Sequence, residues 1–80
     1  MKVVVKDLCR LNELIIRKGL TRRGLAQVAN IGTSTVLHIC GGSRNPGPAV
    51  AKKIVDTLGV DFDEIFEIVS AEEAKEGVYV

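Results

Sequence analysis

The stretch from residue 21 to residue 41, TRRGLAQVANIGTSTVLHICG, constrains the fold of this chain more than any other. Its apolar residues recur at helical spacing on both sides of a short turn, ANIG, at residues 29–32. These residues are Leu25, Ala26 and Ala29 in the first half of the stretch, and Val36 and Ile39 in the second half. Each half therefore predicts a short helix with one face in a shared core and the other face exposed.

Start and stop signals predict a helix before this stretch. Asp7 is suited to cap the N terminus of a helix and Gly19 to end one, and the Leu and Ile residues between them recur at helical spacing. Thr21 is a suitable N-cap for the helix that follows. Residues 2–6, KVVVK, are rich in β-branched side chains and predict an extended segment.

Two further helices are predicted after the Gly41-Gly42 pair. Pro48 suits the first turn of a fourth helix, which Gly59 would end. Asp61 and Glu64 have the spacing of a capping box for a fifth helix. Its apolar face would comprise Phe62, Ile65, Phe66 and Val69, and the helix could extend through residues 71–76.

The predicted fold is therefore all-α, a five-helix domain over residues 7–69. An extended segment, residues 1–6, precedes the domain, and a C-terminal extension, residues 70–80, follows it. The last three residues, VYV, could form a short terminal β-strand with residues 3–5, either within one chain or between two, and a frayed tail is the alternative.

Charge is distributed unevenly along the 80 residues. The formal net charge of +1 is too close to zero to indicate a nucleic-acid partner by itself. However, Lys and Arg are concentrated before residue 54, whereas seven of the ten acidic residues follow residue 60. The N-terminal part of the chain is therefore basic and the C-terminal part is acidic.

Catalytic, metal and membrane functions find little support in the composition. Cys9, Cys40 and the single histidine, His38, do not have metal-ligand spacing, so neither a zinc site nor a disulfide nor any cofactor is predicted. No set of residues can be assigned as nucleophile, base and oxyanion donors, so we predict no enzymatic activity and no catalytic residues. No stretch approaches the roughly 20 apolar residues of a membrane span, and we expect a cytoplasmic protein with no membrane partner.

Several motifs occur in register between Leu8 and Val69. They are Gly19-Leu20-Thr21, Leu25-Ala26, Ser34-Thr35-Val36 with Ile39, Gly42, Arg44-Asn45-Pro46, Leu58-Gly59-Val60 and Asp63-Glu64-Ile65-Phe66. This pattern resembles the Cro and phage-repressor family of helix-turn-helix proteins, also called the XRE family. The resemblance implies a lambda-repressor-like domain whose third helix enters the DNA major groove, with a homodimer bound to a palindromic operator in double-stranded DNA.

The resemblance also implies which residues contact DNA. They are Arg22 at the start of the second helix, Thr33, Ser34, Leu37 and His38 in the third helix, and Ser43, Arg44 and Asn45 in the loop after it. In that family the third-helix positions face bases and the loop positions hold phosphates. Arg23, like Lys18, is included for its charge alone. For the two arginines, for Leu37 and for His38, plain solvent exposure without a binding role is the alternative interpretation.

The expected dimer interface lies on the fifth helix and comprises Phe62, Phe66 and Val69. Phenylalanines at such positions are more often buried in a core than in an interface, so we expect at least one of the two rings to lie inside the monomer.

This chain departs from the family pattern at two points. The family commonly pairs an arginine in the first helix with a glutamate near the end of the third, where this chain has Ile15 and Cys40. Because both members of the ion pair are replaced by apolar groups, we expect the fold to survive and these two side chains to meet in the core.

The second departure is that the third helix lacks Arg, Lys, Asn and Gln, the side chains best suited to bidentate base readout. It leaves a second hypothesis open, in which the same fold is a protein-binding module. An example is an antirepressor that masks the DNA-binding face of another regulator protein.

Overall fold

The structure is a computed structural model, and it describes residues 2–70. The elements are strand β1 (Lys2–Val5), helices α1 (Leu8–Arg17), α2 (Arg22–Ala29), α3 (Thr33–Cys40), α4 (Pro48–Leu58) and α5 (Phe62–Ile65), and strand β2 (Phe66–Val69). The predicted class, a five-helix domain with short β-strands, is confirmed.

The helix ends follow the local signals in the sequence. The Asp7 carboxylate and the Thr21 hydroxyl each accept a hydrogen bond at 2.9 Å from the backbone N–H three residues later. Gly19 and Gly59 end α1 and α4 with φ angles of 76° and 70°, which glycine adopts without steric cost. Pro48 is the first residue of α4, as predicted.

Within residues 2–70 an apolar core joins the helices to the sheet. Its buried residues are Val3, Leu11, Leu14, Ile15, Leu25, Ala26, Val36, Ile39, Cys40, Ala51, Ile54, Val55, Leu58, Ile65 and Phe66. Ile15 and Cys40 are 2% and 3% exposed. Both therefore lie in the same apolar interior.

The predicted fifth helix was wrong beyond Ile65. α5 has only four residues, and β2 follows it directly and pairs antiparallel with β1, with Lys2 opposite Val69 and Val5 opposite Phe66. Short apolar runs fit helical and extended spacing alike, and here the backbone hydrogen bonds to β1 favour the strand. The predicted continuation through residues 71–76 and the predicted strand at 78–80 lie outside the described residues.

The predicted capping box at the start of α5 was also wrong. Asp61 makes no side-chain cap hydrogen bond. The Glu64 carboxylate instead accepts two hydrogen bonds from the Arg10 guanidinium, which are stronger than a bond from a neutral backbone N–H. Glu64 therefore joins α5 to α1.

Candidate nucleic-acid interface

The turn between α2 and α3 is held by backbone hydrogen bonds. Asn30 adopts the left-handed conformation, with φ of 57° and ψ of 51°, which asparagine tolerates better than most residues. Its N–H donates to Ala26 and Gln27, and the N–H of Ile31 donates to the Ala26 carbonyl at 2.9 Å. These bonds close the C terminus of α2 and fix the direction in which α3 leaves it.

The outer face of α3 carries the four predicted base-facing residues. Ser34, Leu37 and His38 are exposed and Thr33 is half-buried, whereas the opposite face of α3 is in the core. Their helical spacing places them on one side of the helix. The hydroxyls can make single hydrogen bonds, the imidazole can donate or accept one, and Leu37, 45% exposed, can contact a thymine methyl group.

The loop after α3 is exposed at all three predicted phosphate-holding positions, Ser43, Arg44 and Asn45. The backbone N–H and the hydroxyl of Ser43 both donate to the His38 carbonyl, at 3.0 and 3.2 Å, and so close the C terminus of α3. Asn45 Oδ1 accepts from the Val5 N–H of β1 at 3.3 Å, a bond that uses the acceptor of the amide and not its two donors. In this geometry Arg44 and the Asn45 amide are better placed than Ser43 to donate to an anion.

Arg22, at the start of α2, is held by a residue that sequence reasoning missed. Its Nη2 donates to Asn12 Oδ1 at 3.2 Å. Asn12 Nδ2 in turn donates to the carbonyls of Leu8, at 3.0 Å, and Cys40, at 3.1 Å. Asn12 thus joins α1 to the start of α2 and the end of α3. The signal was an asparagine in a helix interior, where this residue type is unfavourable unless its side chain is used.

The outer face of α3 and the loop after it lie in a part of the chain that contains no acidic residues. Residues 14–55 contain no Asp or Glu and seven Lys and Arg, a local excess that the net charge conceals. Glu13, just before this stretch, is paired with Arg10 and Arg17, and the hydrogen bond from Arg17 lowers the pKa of its carboxyl. Asp56, just after it, is paired with Lys52. The acids that flank the stretch are therefore already occupied by cations.

The two cations that were predicted on charge alone differ in position. Arg23 is exposed beside Arg22 on α2. Lys18 Nζ lies 3.9 Å from where a Cβ on Gly59 would stand, at the C-terminal end of α4. The Lys18 ammonium therefore lies beside the end of α4, where a positive charge is favourable.

The two thiols differ in exposure. Cys9 is exposed and Cys40 is buried, and both are free. Burial raises the pKa of the Cys40 thiol, and the positive charge of Arg22 opposes part of that shift. Cys40 is thus a neutral core residue at pH 7.

Between residues 2 and 70 no cluster of His, Cys, Asp and Glu could hold a metal ion, and no helix is long and apolar enough to cross a membrane.

Of the three residues predicted for the dimer interface, Phe66 is buried inside the monomer. Phe66 is fully buried in the monomer, where its ring centroid lies 5.5 Å from that of Phe62, so its ring cannot meet a partner. Phe62 and Val69 are half-buried, and Ile68, which was not predicted, is 57% exposed. A mainly apolar groove beside the sheet is lined by Lys2, Val3, Pro48, Phe62 and Ile68.

The sequence of this chain is similar to those of known helix-turn-helix proteins. A family model described as helix-turn-helix matches residues 11–65. The chain is also similar to a protein of Bacillus subtilis (strain 168) that carries the name uncharacterized HTH-type transcriptional regulator YqaF. The two are 39% identical over 57 residues, which cover 71% of this chain and 75% of that protein.

Proposed function

The chain belongs to the XRE-type helix-turn-helix family of DNA-binding transcriptional regulators, and we propose that it acts as a phage-repressor-type regulator that binds an operator as a homodimer. In this proposal α3 lies in the major groove of the operator. The action needs no catalytic residue and no cofactor, since occupancy of the operator alone changes access for the transcription machinery.

One observation carries the proposal of an α3-centred DNA interface. The inner face of α3 is buried in the core, while Ser34, Leu37 and His38 are exposed on its outer face, within a part of the chain that contains cations and no acids. An exposed helix face with positive charge around it meets the two requirements of groove binding, which are shape and attraction to phosphates.

The side chains of α3 determine what kind of sequence readout we propose. Thr33, Ser34 and His38 offer single hydrogen bonds, which discriminate less between bases than a bidentate pair does. Leu37 adds an apolar contact that favours thymine. We therefore propose that part of the specificity comes from DNA shape and from bridging water, while Arg22, Arg23, Arg44 and Asn45 supply affinity through phosphates.

Selection of duplexes from a random pool, followed by fluorescence anisotropy on the enriched sequence, tests the proposal. We expect affinity to fall steeply with salt, by about 0.9 log units per neutralised phosphate for each log unit of salt. If no duplex is enriched at low salt, the proposed function fails.

We propose that the second copy of the chain docks on the groove beside the sheet. Exposed Ile68 and half-buried Phe62 give this groove an apolar surface that a symmetric partner would cover. On a palindromic operator the two copies of α3 in such a dimer would occupy half-sites about 34–36 Å apart.

A protein-binding module of the same fold is the second candidate function. The observation that favours it is the exposure of Leu37 on an α3 that has no bidentate base reader. In this alternative the outer face of α3 would cover the DNA-binding surface of another regulator, and truncation of Leu37 would weaken that complex more than truncation of Arg44.

A further inference from the structure

Asn12 uses its amide more completely than other polar side chains near the candidate interface. The side chain is half-buried in the middle of α1 and makes three hydrogen bonds, two through Nδ2 and one through Oδ1. The two donated bonds end on the backbone carbonyls of Leu8 and Cys40, and the accepted bond comes from Arg22. One amide therefore connects three helices.

This network fixes the orientation of the Asn12 amide. If the amide were rotated by half a turn, its oxygen would face two carbonyl oxygens and its NH2 group would face the guanidinium of Arg22, which has no acceptor. The two backbone carbonyls therefore hold Oδ1 toward the start of α2, where Arg22 meets it.

Arg22 differs from other arginines of the domain in the charge of its partner. Arg10 and Arg17 are bound to carboxylates, which cancel much of their positive charge. Arg22 is exposed, and among residues 2–70 its hydrogen-bond partner is the neutral amide of Asn12 and not a carboxylate. A neutral acceptor orients a guanidinium and leaves its full charge and its remaining N–H groups for an anion.

We infer that Asn12 is a positioning residue for DNA binding, which holds the Arg22 guanidinium beside the C-terminal end of α3 for contact with a phosphate. The inference rests on the proposed function. Asn12 itself touches no DNA in this inference, since its donors are occupied by the carbonyls of Leu8 and Cys40.

A double-mutant cycle with Asn12→Ala and Arg22→Ala tests the inference. Affinity for the enriched duplex is measured by anisotropy at several salt concentrations, with thermal unfolding of every variant as the control for folding. We expect Arg22→Ala to weaken binding by about eightfold at 0.1 M salt and to lower the salt slope by about 0.9, as for one phosphate contact. Asn12→Ala should weaken binding by about threefold, as for one hydrogen bond of modest net strength, and by nothing further when Arg22 is already alanine.

A second readout does not depend on DNA. In the free protein, NMR relaxation of the Arg22 Nε–Hε group should show greater mobility in Asn12→Ala than in the wild type. An unchanged Arg22 side chain, or an equal loss of affinity from Asn12→Ala with and without Arg22, would overturn the inference. A different result, the absence of any enriched duplex for the wild type, would contradict the proposed function itself.

Discussion

Arg10 and Glu64 are joined through a single carboxylate oxygen, Glu64 Oε1, which accepts from Arg10 Nε at 3.0 Å and from Nη2 at 2.6 Å across 54 residues of sequence. The hydrogen bond to Glu64 is the main reason that the pKa of Arg10 lies above its ordinary value. Glu64 is the third residue of α5, just before β2 begins. The pair therefore links α1 to the junction between α5 and the sheet.

Replacement of Glu64 by Gln should destabilise the domain modestly, because the charged acceptor of Arg10 is lost while the size of the side chain is kept. We expect the melting temperature to fall by about 2–4 °C at low salt, measured by circular dichroism, and by less at high salt because ions screen the pair. Asp56→Asn, which alters the more exposed Lys52–Asp56 pair, is the matched control and should change the melting temperature less. An equal effect of the two changes would contradict a special role for Glu64.

Cys40→Glu should destabilise the fold, since it places a carboxylate where the wild-type side chain is 3% exposed. We expect a loss of about 2–4 kcal/mol in the free energy of unfolding, because the nearby charge of Arg22 compensates only part of the burial. The variant Ile15→Arg with Cys40→Glu should recover much of this loss by forming an ion pair. Urea denaturation measures both, and a double variant no more stable than Cys40→Glu alone would show that positions 15 and 40 are not paired.

Arg44→Ala and Leu37→Ala separate the two candidate functions. If the protein reads DNA, loss of Arg44 should weaken binding to selected and unrelated duplexes alike and lower the salt slope by about 0.9, whereas loss of Leu37 should reduce only the preference for the selected sequence. Lys52→Ala on α4, whose ammonium is paired with Asp56, is the charge-matched control. Titration of each variant by anisotropy measures these effects, and an Arg44→Ala protein that binds both duplexes like the wild type would refute the phosphate contact.

Ile68→Asp should dissociate the proposed homodimer, because it places a charge in the apolar groove beside the sheet. Sedimentation equilibrium should show a dimer for the wild type and a monomer for this variant. Ile16→Asp, at a side chain that is 75% exposed on α1, is the matched control and should remain dimeric. A wild-type protein that stays monomeric throughout the concentration series, or an Ile68→Asp protein that stays dimeric, would rule out this interface.

Most of the helix ends, which depend on neighbouring residues, could be predicted from the sequence, although the capping box at Asp61 was not formed. Asp7, Thr21 and Gly59 act within one turn of their own helix ends, and the structure confirms all three. Phe66 could not be assigned in this way, because its spacing from Phe62 fits a helix and only the pairing with distant β1 makes it part of a strand. Long-range pairing is not encoded in any local pattern.

In the candidate site, too, the features that depend on local spacing could be predicted, and the long-range partners could not. The outer face of α3 follows from helical spacing, and Ser34, Leu37 and His38 are exposed on it. The uses of Asn12, Ser43 and Asn45 depend on which carbonyl or N–H lies opposite each side chain in the folded chain. Sequence reasoning could mark these residues as polar and could not name their partners.

The pairing of Lys2 with Val69 has a consequence for how the chain folds. That contact closes a loop of 66 residues, from residue 3 to residue 68, whereas the capping and turn bonds of α1 to α4 join residues that are close in sequence. Loop closure costs entropy before the contact contributes anything, so the sheet gains its stability only when the helices have already shortened the distance between its strands. A circular permutant in which a short linker joined residue 70 to residue 2 would make this pairing local, and we expect it to fold faster around the same helices.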